Sequence, residues 1–106
     1  MKIEVFYIRE CPNHAPVVET IRTILREHEL LEEIAEVEVT DPAQALALAF
    51  PGSPTVRING EDVERDLPKL NSYGLSCRTY AGGGNRQGVP FEEWIRNSIV
   101  DALRQR

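Results

Sequence analysis

The pattern of apolar and polar positions at the N-terminus predicts a buried strand followed by a helix. Residues 3–8 read Ile-Glu-Val-Phe-Tyr-Ile, so nearly every position on both faces of an extended chain is apolar or long. This pattern is typical of a strand that is covered on both faces. Apolar residues then recur at spacings of three and four over residues 15–29, which indicates an amphipathic helix. Pro16 fits the first turn of this helix, where a missing N–H costs least.

A second strand and a short helix are predicted in the middle of the chain. Residues 34–39 favour a strand, and residues 43–50 are rich in the helix formers Ala and Leu. Asp41 is a suitable cap for this helix, and Pro42 is a suitable first helical residue. We expect Gly52 to end the helix in a left-handed conformation.

A hairpin is predicted next, because Asn59-Gly60 is the strongest short hairpin signal that a sequence offers. Its strands are residues 53–58, which begin with Ser-Pro-Thr, and residues 61–64. Residues 65–72 are predicted to form a loop, and the alternation over residues 73–80 favours a further strand.

The C-terminal part is predicted to contain a glycine-rich loop and a helix. We interpret the Gly-Gly-Gly-Asn run at residues 82–85 as a flexible loop. Residues 90–104 carry apolar side chains at helical spacing. Pro90 is predicted to be the first helical residue, and Arg104 lies in the last turn, where a positive charge suits the helix dipole.

The order of these elements predicts the fold class. Strands alternate with helices before the hairpin, and such alternation implies parallel strands joined by right-handed crossovers. The hairpin adds antiparallel strands to the same sheet. We therefore expect an α/β protein with a central mixed β-sheet flanked by helices, and with residues 1–106 in a single domain.

Composition and charge argue against several function classes. A chain of 106 residues with 42% hydrophobic and 27% charged residues is typical of globular proteins. Its formal net charge of −5 argues against a nucleic-acid partner, since such interfaces need clustered Lys and Arg. No apolar run approaches the length of a membrane span, and the N-terminus does not resemble a signal peptide, so we expect a cytoplasmic protein without a membrane partner. We interpret an acidic run as a solvated face: Glu29, Glu32, Glu33 and Glu36.

The two cysteines, Cys11 and Cys77, are the main candidates for chemistry. In a reducing compartment they are expected to be free or catalytic. Two cysteines without a matching His-x-x-x-His pair do not make an ordinary tetrahedral zinc site within one chain, so no metal site of that kind is predicted. Cys11 follows the first strand and precedes the first helix, whose N-terminus would stabilise a thiolate. The alternative is an inert buried cysteine.

Three segments carry a resemblance to a known family. They are Cys-Pro-Asn-His at residues 11–14, Val-Glu-Val-Thr-Asp at residues 37–41, and Ser-Pro-Thr-Val-Arg-Ile-Asn-Gly at residues 53–60. Over residues 1–64 the chain resembles the thioredoxin superfamily, especially its small glutaredoxin-like proteins. Residues 73–78, Tyr-Gly-Leu-Ser-Cys-Arg, are similar to a segment of one branch of bacterial thioredoxin-like proteins.

The resemblance implies a thioredoxin-like fold and a site around the first cysteine. Cys11 would be the nucleophile, with Pro12 making the turn after it rigid. The peptide bond before Pro54 would be cis, and this turn would lie against the cysteine. Ser53, Pro54 and Thr55 would then offer groups to an extended thiol substrate.

The sequence departs from the family at one important position, because His14 replaces the second cysteine of the motif. An external thiol such as glutathione, acting as a co-substrate, is one means of resolving a mixed disulfide on Cys11. The other is Cys77 acting as a distant resolving cysteine, and we predict that it reaches Cys11. Cys77 also shares a strand face with Leu75, so a core position is its alternative. His14 is interpreted either as a group that stabilises the thiolate or acts as a base, or as an ordinary exposed residue.

These residues are consistent with three function classes. The first is a thiol–disulfide oxidoreductase whose partner is a protein or low-molecular-weight disulfide, with no other cofactor. The second is a soft-metal binding protein in which Cys11 and Cys77 hold Hg(II), Cu(I) or arsenite. The third is a non-catalytic adaptor with a thioredoxin fold, since the fold alone does not settle function.

Overall fold

The structure, a computed structural model, describes residues 1–65 and 73–105. The loop predicted for residues 65–72 therefore lies outside the described residues except for Arg65, which is in a turn. The elements in chain order are β1 (Ile3–Tyr7), α1 (His14–Glu27), β2 (Ile34–Glu38), α2 (Pro42–Ala47), β3 (Thr55–Ile58), β4 (Glu61–Asp62), β5 (Tyr80–Gly82), β6 (Asn85–Gln87) and α3 (Glu92–Arg104).

The main sheet has the strand order β2-β1-β3-β4. β1 is parallel to β2, while the β1–β3 and β3–β4 pairs are antiparallel. Strands β5 and β6 form a separate antiparallel pair. The predicted α/β class with a mixed sheet and helices is therefore confirmed.

Strand β1 occupies the centre of the main sheet and is covered on both faces. On one face, Ile3 and Val5 belong to a large core that includes apolar side chains of α1 and α3. On the other face, Phe6 packs in a smaller core with Phe50 and Ala45. The double coverage explains why nearly every residue of this strand is apolar or long.

Helix α2 begins as predicted and ends earlier. The Asp41 carboxylate accepts a hydrogen bond from the Gln44 N–H at 2.8 Å, and Pro42 is the first helical residue. The helix ends at Ala47 with Leu48 as its C-cap, and Ala49, the next residue, adopts a left-handed φ of 50°. The prediction that Gly52 ends this helix is therefore wrong.

Helix α3 begins two residues later than predicted. Phe91 is its N-cap, with an extended conformation of φ −63° and ψ 135°. Pro90 is buried ahead of the cap and is not the first helical residue, because the chain is still extended at Phe91. Within residues 1–65 and 73–105, no helix has the length and apolar composition needed to cross a membrane.

The part between the hairpin and α3 differs most from the prediction. The Asn59-Gly60 turn is present, but its return strand β4 has two residues instead of four. In place of a strand over residues 73–80, Cys77 forms a single bridge to Ser53 and β5 begins at Tyr80. The glycine run is the tight turn of the β5–β6 hairpin, because Gly82 pairs with Asn85 across two glycines with positive φ.

Candidate functional site

Cys11 lies in the turn that joins β1 to α1. Its N–H donates to the Ile8 carbonyl at 3.2 Å, and its own carbonyl accepts from the His14 N–H at 3.4 Å. Asn13 is the N-cap of α1, so Cys11 precedes the cap by two residues and lies ahead of the helix. Its thiol is free and half-buried, which excludes the fully buried alternative.

Gly88, which is distant in sequence, leaves room for this turn. The Asn13 side chain packs against Gly88, where an added Cβ would lie 2.5 Å from Asn13 Nδ2. The segment that follows β6 therefore borders the Cys11 turn, while Pro12 is exposed. No local pattern predicts this contact, since 75 positions of sequence separate the two residues.

The Ser53–Pro54 turn meets the Cys11 turn at Ile8, the residue that follows β1. The Ser53–Pro54 peptide bond is cis, as the resemblance implies, and residues 53–55 are buried. Ser53 Oγ accepts from the Ile8 N–H at 3.1 Å, and the Ile8 carbonyl accepts from Cys11. The Thr55 hydroxyl is turned back to the Gly52 carbonyl, to which it donates at 2.6 Å. Ile8 is thus hydrogen-bonded to both turns.

Backbone pairing places Cys77 beside Ser53. The Ser53 N–H donates to the Ser76 carbonyl at 2.8 Å, and the Arg78 N–H donates to the Ser53 carbonyl at 3.0 Å. Cys77 lies between these two bonds, opposite Ser53, and its side chain is exposed. The core position considered for Cys77 is wrong, because the alternate residues Arg78 and Tyr80 are the buried ones.

The His14 ring contacts residues of β1 and β2. It stacks on Tyr7, with 3.6 Å between ring centroids and 8° between planes. Its Nε2 atom is 2.7 Å from a Glu36 carboxylate oxygen. Among the described residues, no hydrogen bond joins the ring to the Cys11 sulfur. Glu36 is exposed, as predicted for the acidic run, and it also pairs with a residue of the candidate motif.

A buried arginine follows Cys77 and binds two carboxylates. Arg78 is 6% exposed and donates to both carboxylate oxygens of Asp62, at 2.8 and 3.0 Å. It also donates to Glu64 at 2.8 Å and to the Thr55 hydroxyl at 3.0 Å. Its guanidinium carbon lies 4.3 Å from the centroid of the Tyr80 ring. We call these five residues the Arg78 cluster.

The electrostatics of this cluster fix its protonation states. Burial by itself lowers the pKa of the Arg78 guanidinium, but its hydrogen bonds to Asp62 and Glu64 and its electrostatic interactions with Tyr80 and Asp62 raise that pKa above its ordinary value. Burial raises the pKa of the Tyr80 phenol well above its ordinary value, although the nearby Arg78 opposes this shift. The protonated Tyr80 hydroxyl donates to the Pro54 carbonyl.

The sequence contains only a weak sign of the Arg78 cluster. Asp62 and Glu64 alternate after the Asn59-Gly60 turn, and Arg78 and Tyr80 alternate after Cys77. Alternation puts such side chains on one face of each extended segment, but the two faces meet only where the segments pack together. That packing depends on the bridge between Ser53 and Cys77, which periodicity does not reveal.

Hydrogen bonds therefore connect the segments that carry Cys11, Ser53 and Cys77. Cys11, Ser53 and Cys77 lie on segments that are hydrogen-bonded through Ile8, whereas His14 faces β2. No group of three or more His, Cys, Asp and Glu side chains within residues 1–65 and 73–105 is arranged to hold a metal ion. Comparisons of the chain with protein-family models, with curated proteins and with solved structures find no match, so its function has to be argued from these residues.

Proposed function

We propose that the protein is a thiol–disulfide redox protein of thioredoxin-like fold in which Cys11 is the nucleophile. The observation that carries the proposal is the connection of two free thiols through one pair of residues. Cys11 is bonded to Ile8, Ile8 to Ser53, and Ser53 to the two neighbours of Cys77. Both thiols have access to solvent, since Cys11 is half-buried and Cys77 is exposed.

The arrangement of the sheet supports the fold part of the proposal. A central β1 with a parallel neighbour β2 and an antiparallel neighbour β3 agrees with the resemblance. The candidate nucleophile follows the carboxyl end of β1, outside the sheet, where an α/β fold commonly presents its site. The Ser53–Pro54 turn at the start of β3 is its neighbour through Ile8.

The proposed chemistry has two exchange steps. The Cys11 thiolate attacks one sulfur of a disulfide RSSR, a Cys11–SR bond forms, and RS⁻ leaves and takes a proton from water. A second thiolate then attacks the Cys11 sulfur and releases the other RS⁻. If Cys77 is the attacking group, the protein is oxidised to a Cys11–Cys77 disulfide while the substrate is reduced to two thiols.

The protein returns to its reduced form by the same chemistry. Two molecules of an external thiol such as glutathione reduce the Cys11–Cys77 disulfide and leave as one oxidised disulfide. Glutathione can also attack the mixed disulfide on Cys11 directly, in which case Cys77 takes no part. The substrate class in both cases is a disulfide of a protein or of a small thiol.

A soft-metal site is the second candidate, and the same pair of thiols favours it. Two thiolates are sufficient for a linear complex with Hg(II) or Cu(I), and soft ligands select these ions. The pair would act as the complete ligand set, since the described residues place no cluster of three potential ligands together. The adaptor function needs neither thiol.

A single reaction followed in three proteins tests the proposal. Wild type, Cys11→Ser and Cys77→Ser are mixed with a small disulfide that has a coloured leaving thiol, and intact mass records the adducts. Wild type is expected to release two thiols per protein and to lose two hydrogens in mass. Cys77→Ser is expected to release one thiol and keep the other as an adduct, while Cys11→Ser reacts more slowly than wild type. Equal rates for wild type and Cys11→Ser would contradict the role of Cys11.

A metal titration separates the second candidate from the first. Reduced wild type is titrated with Hg(II) against a competing small dithiol, and the mass of the complex is measured. Binding of one ion that needs both cysteines, in a protein that does not exchange with disulfides, would favour the metal function. A wild type that neither exchanges with disulfides nor binds the ion would leave the adaptor function.

A further inference from the structure

We propose that Arg78 is a positioning residue that holds Cys77 on Ser53 and so makes Cys77, instead of an external thiol, the resolving group. The inference rests on the proposed function, because it decides which of two thiols completes the second step. Its structural part, that Arg78 holds Cys77 on Ser53, does not depend on that chemistry.

The contact that brings Cys77 to the site is small by itself. Residues 76–78 pair with Ser53 through two backbone hydrogen bonds. The bridge between Cys77 and Ser53 is isolated and does not belong to any of the strands β1 to β6. Ladders of this length do not persist in water without side-chain packing. Something other than the backbone must therefore keep this segment in place.

Arg78 supplies that support from the adjacent position. Its guanidinium binds the Asp62 carboxylate with two parallel bonds and reaches Glu64 and the Thr55 hydroxyl as well. A planar guanidinium has its five donors in a fixed fork, so these acceptors define the position of the arginine closely. The acceptors are Thr55, which begins β3 directly after the cis proline, Asp62 of β4, and Glu64, two residues beyond the end of β4.

Gly52 adds a second observation that points to the same docking. Its φ is 143°, and a Cβ there would lie 2.8 Å from the Arg78 Cβ. The arginine backbone therefore packs directly onto the residue before Ser53. The Tyr80 hydroxyl, which donates to the Pro54 carbonyl, ties the segment down on the other side of the turn.

The alternation of the segment then leaves the thiol available. Arg78 and Tyr80 are buried, while Cys77 and Thr79 between and beside them are exposed. The buried pair fixes the backbone, and the thiol opposite Ser53 is kept near the Cys11 turn at a high effective concentration. External thiols compete with an intramolecular group only when that concentration falls, which happens if the segment leaves Ser53.

The test is a competition between the two resolving thiols. Wild type and Arg78→Lys are oxidised with a fixed mixture of reduced and oxidised glutathione, and mass spectrometry gives the ratio of Cys11–Cys77 disulfide to Cys11–glutathione adduct. Lysine keeps the positive charge but does not bind four acceptors as the guanidinium does. We expect this ratio to fall at least about tenfold, because effective concentration depends steeply on geometry.

The matched control is Arg96→Lys. Arg96 also binds two carboxylates, those of Glu27 and Glu92, but it lies on α3 and is partly exposed. Its ratio of products is expected to equal that of wild type. A milder second variant, Glu64→Gln, removes the negative charge of one acceptor of Arg78 and is expected to lower the ratio by less than Arg78→Lys, so the test does not depend on one variant folding.

Amide hydrogen exchange makes the structural part independent of the disulfide chemistry. In a Cys11→Ser background, Arg78→Lys is expected to speed exchange at the Ser53 and Arg78 amides and to leave Ile8 unchanged. Faster exchange with an unchanged product ratio would overturn the role in resolving, and unchanged exchange would overturn the positioning itself. If wild type forms neither product, the proposed function fails and the resolving role fails with it, while the exchange rates still decide whether Arg78 holds the segment.

Discussion

The two cysteines are held in place by different means. The Cys11 turn is closed by a backbone hydrogen bond to Ile8, the residue after β1, and its neighbours β1 and α1 pack in the large core. The Cys77 segment has one bridge to the sheet and depends on the Arg78 side chain, which binds Thr55 of β3, Asp62 of β4 and Glu64. The first position is a consequence of the fold, whereas the second depends on a few polar contacts.

This difference has consequences for stability and reactivity. Backbone ladders in a core sheet open only with much of the structure, while a segment held by side chains opens locally. Changes to the Arg78 cluster should therefore act on Cys77 and leave the Cys11 turn intact. Substitutions near Cys11 should have small effects on stability and reactivity unless they disturb β1 or α1.

The largest effect is expected from Arg78→Met. This change leaves Asp62 and Glu64 without their buried partner, and removal of one member of a buried ion pair costs about 3–5 kcal/mol. We expect the low end of that range, about 3 kcal/mol, because the Asp62 and Glu64 side chains are 13% and 25% exposed and so retain some water. Urea unfolding of the reduced protein measures the free energy of unfolding.

Arg96→Met is the matched control for that measurement. Arg96 has two carboxylate partners on the protein surface, and exposed pairs contribute little. Its unfolding midpoint is expected to stay close to that of wild type. Equal shifts for Arg78→Met and Arg96→Met would contradict the special position of the Arg78 cluster.

The next effect is a loss of stability at alkaline pH. The pKa of Tyr80 is raised in the folded protein, so the folded state keeps a proton that the unfolded chain releases above about pH 10. The contribution of Tyr80 is therefore complete below that pH and is lost as the pH rises further, by about 1.4 kcal/mol per pH unit. The free energy of unfolding, measured from pH 9 to pH 11.5, tests this.

Two tyrosine variants sharpen the interpretation of this pH dependence. Tyr80→Phe removes the titrating group and is expected to flatten the alkaline decline. Tyr7→Phe removes a phenol from a half-buried site and leaves Tyr80 in place, so its decline should match wild type. An unchanged slope in Tyr80→Phe would assign the alkaline effect to another group.

A smaller effect is expected where the segment after β6 borders the Cys11 turn. In Gly88→Ala the new Cβ would lie 2.5 Å from Asn13 Nδ2, at the end of a side chain that is able to swing away. We expect a cost of about 1 kcal/mol, the low end for overpacking. Gly74→Ala is the control, since a Cβ there meets nothing within 4 Å. A loss as large for Gly74→Ala as for Gly88→Ala would show that the contact with Asn13 is unimportant.

The elements that are predicted best from sequence are those with strong local signals. The apolar run of β1, the Asp41 cap with Pro42, and the Asn59-Gly60 turn each act within a few residues, and all three are present. The bounds of the helices were less accurate, because Ala49 and Phe91 adopt terminating conformations that their residue types do not favour strongly.

The site was predicted in part for the same reason. The turn at Cys11 and the Ser53–Pro54 turn follow from local patterns and from the resemblance, and the bonds through Ile8 connect them. The position of Cys77 required a contact across 24 residues of sequence, between Ser53 and Cys77. The pairing of His14 with Glu36 likewise depends on β2 lying beside β1, which no local pattern contains.

The smallest effect is expected for the reactivity of Cys11 when the His14 ring is removed. The ring stacks on Tyr7 and binds Glu36, and neither contact reaches the sulfur. In a Cys77→Ser background, where Cys11 is the sole thiol, His14→Gln should alkylate within about threefold of the parent rate at pH 7, since a tenfold change would need about 1.4 kcal/mol of direct interaction. Glu36→Gln is the companion variant, because it leaves the ring in place and removes its charged partner. A rate more than tenfold lower in His14→Gln alone would show that the ring acts on the thiolate and that the Cys11 turn, like the Cys77 segment, depends on a side chain for its function.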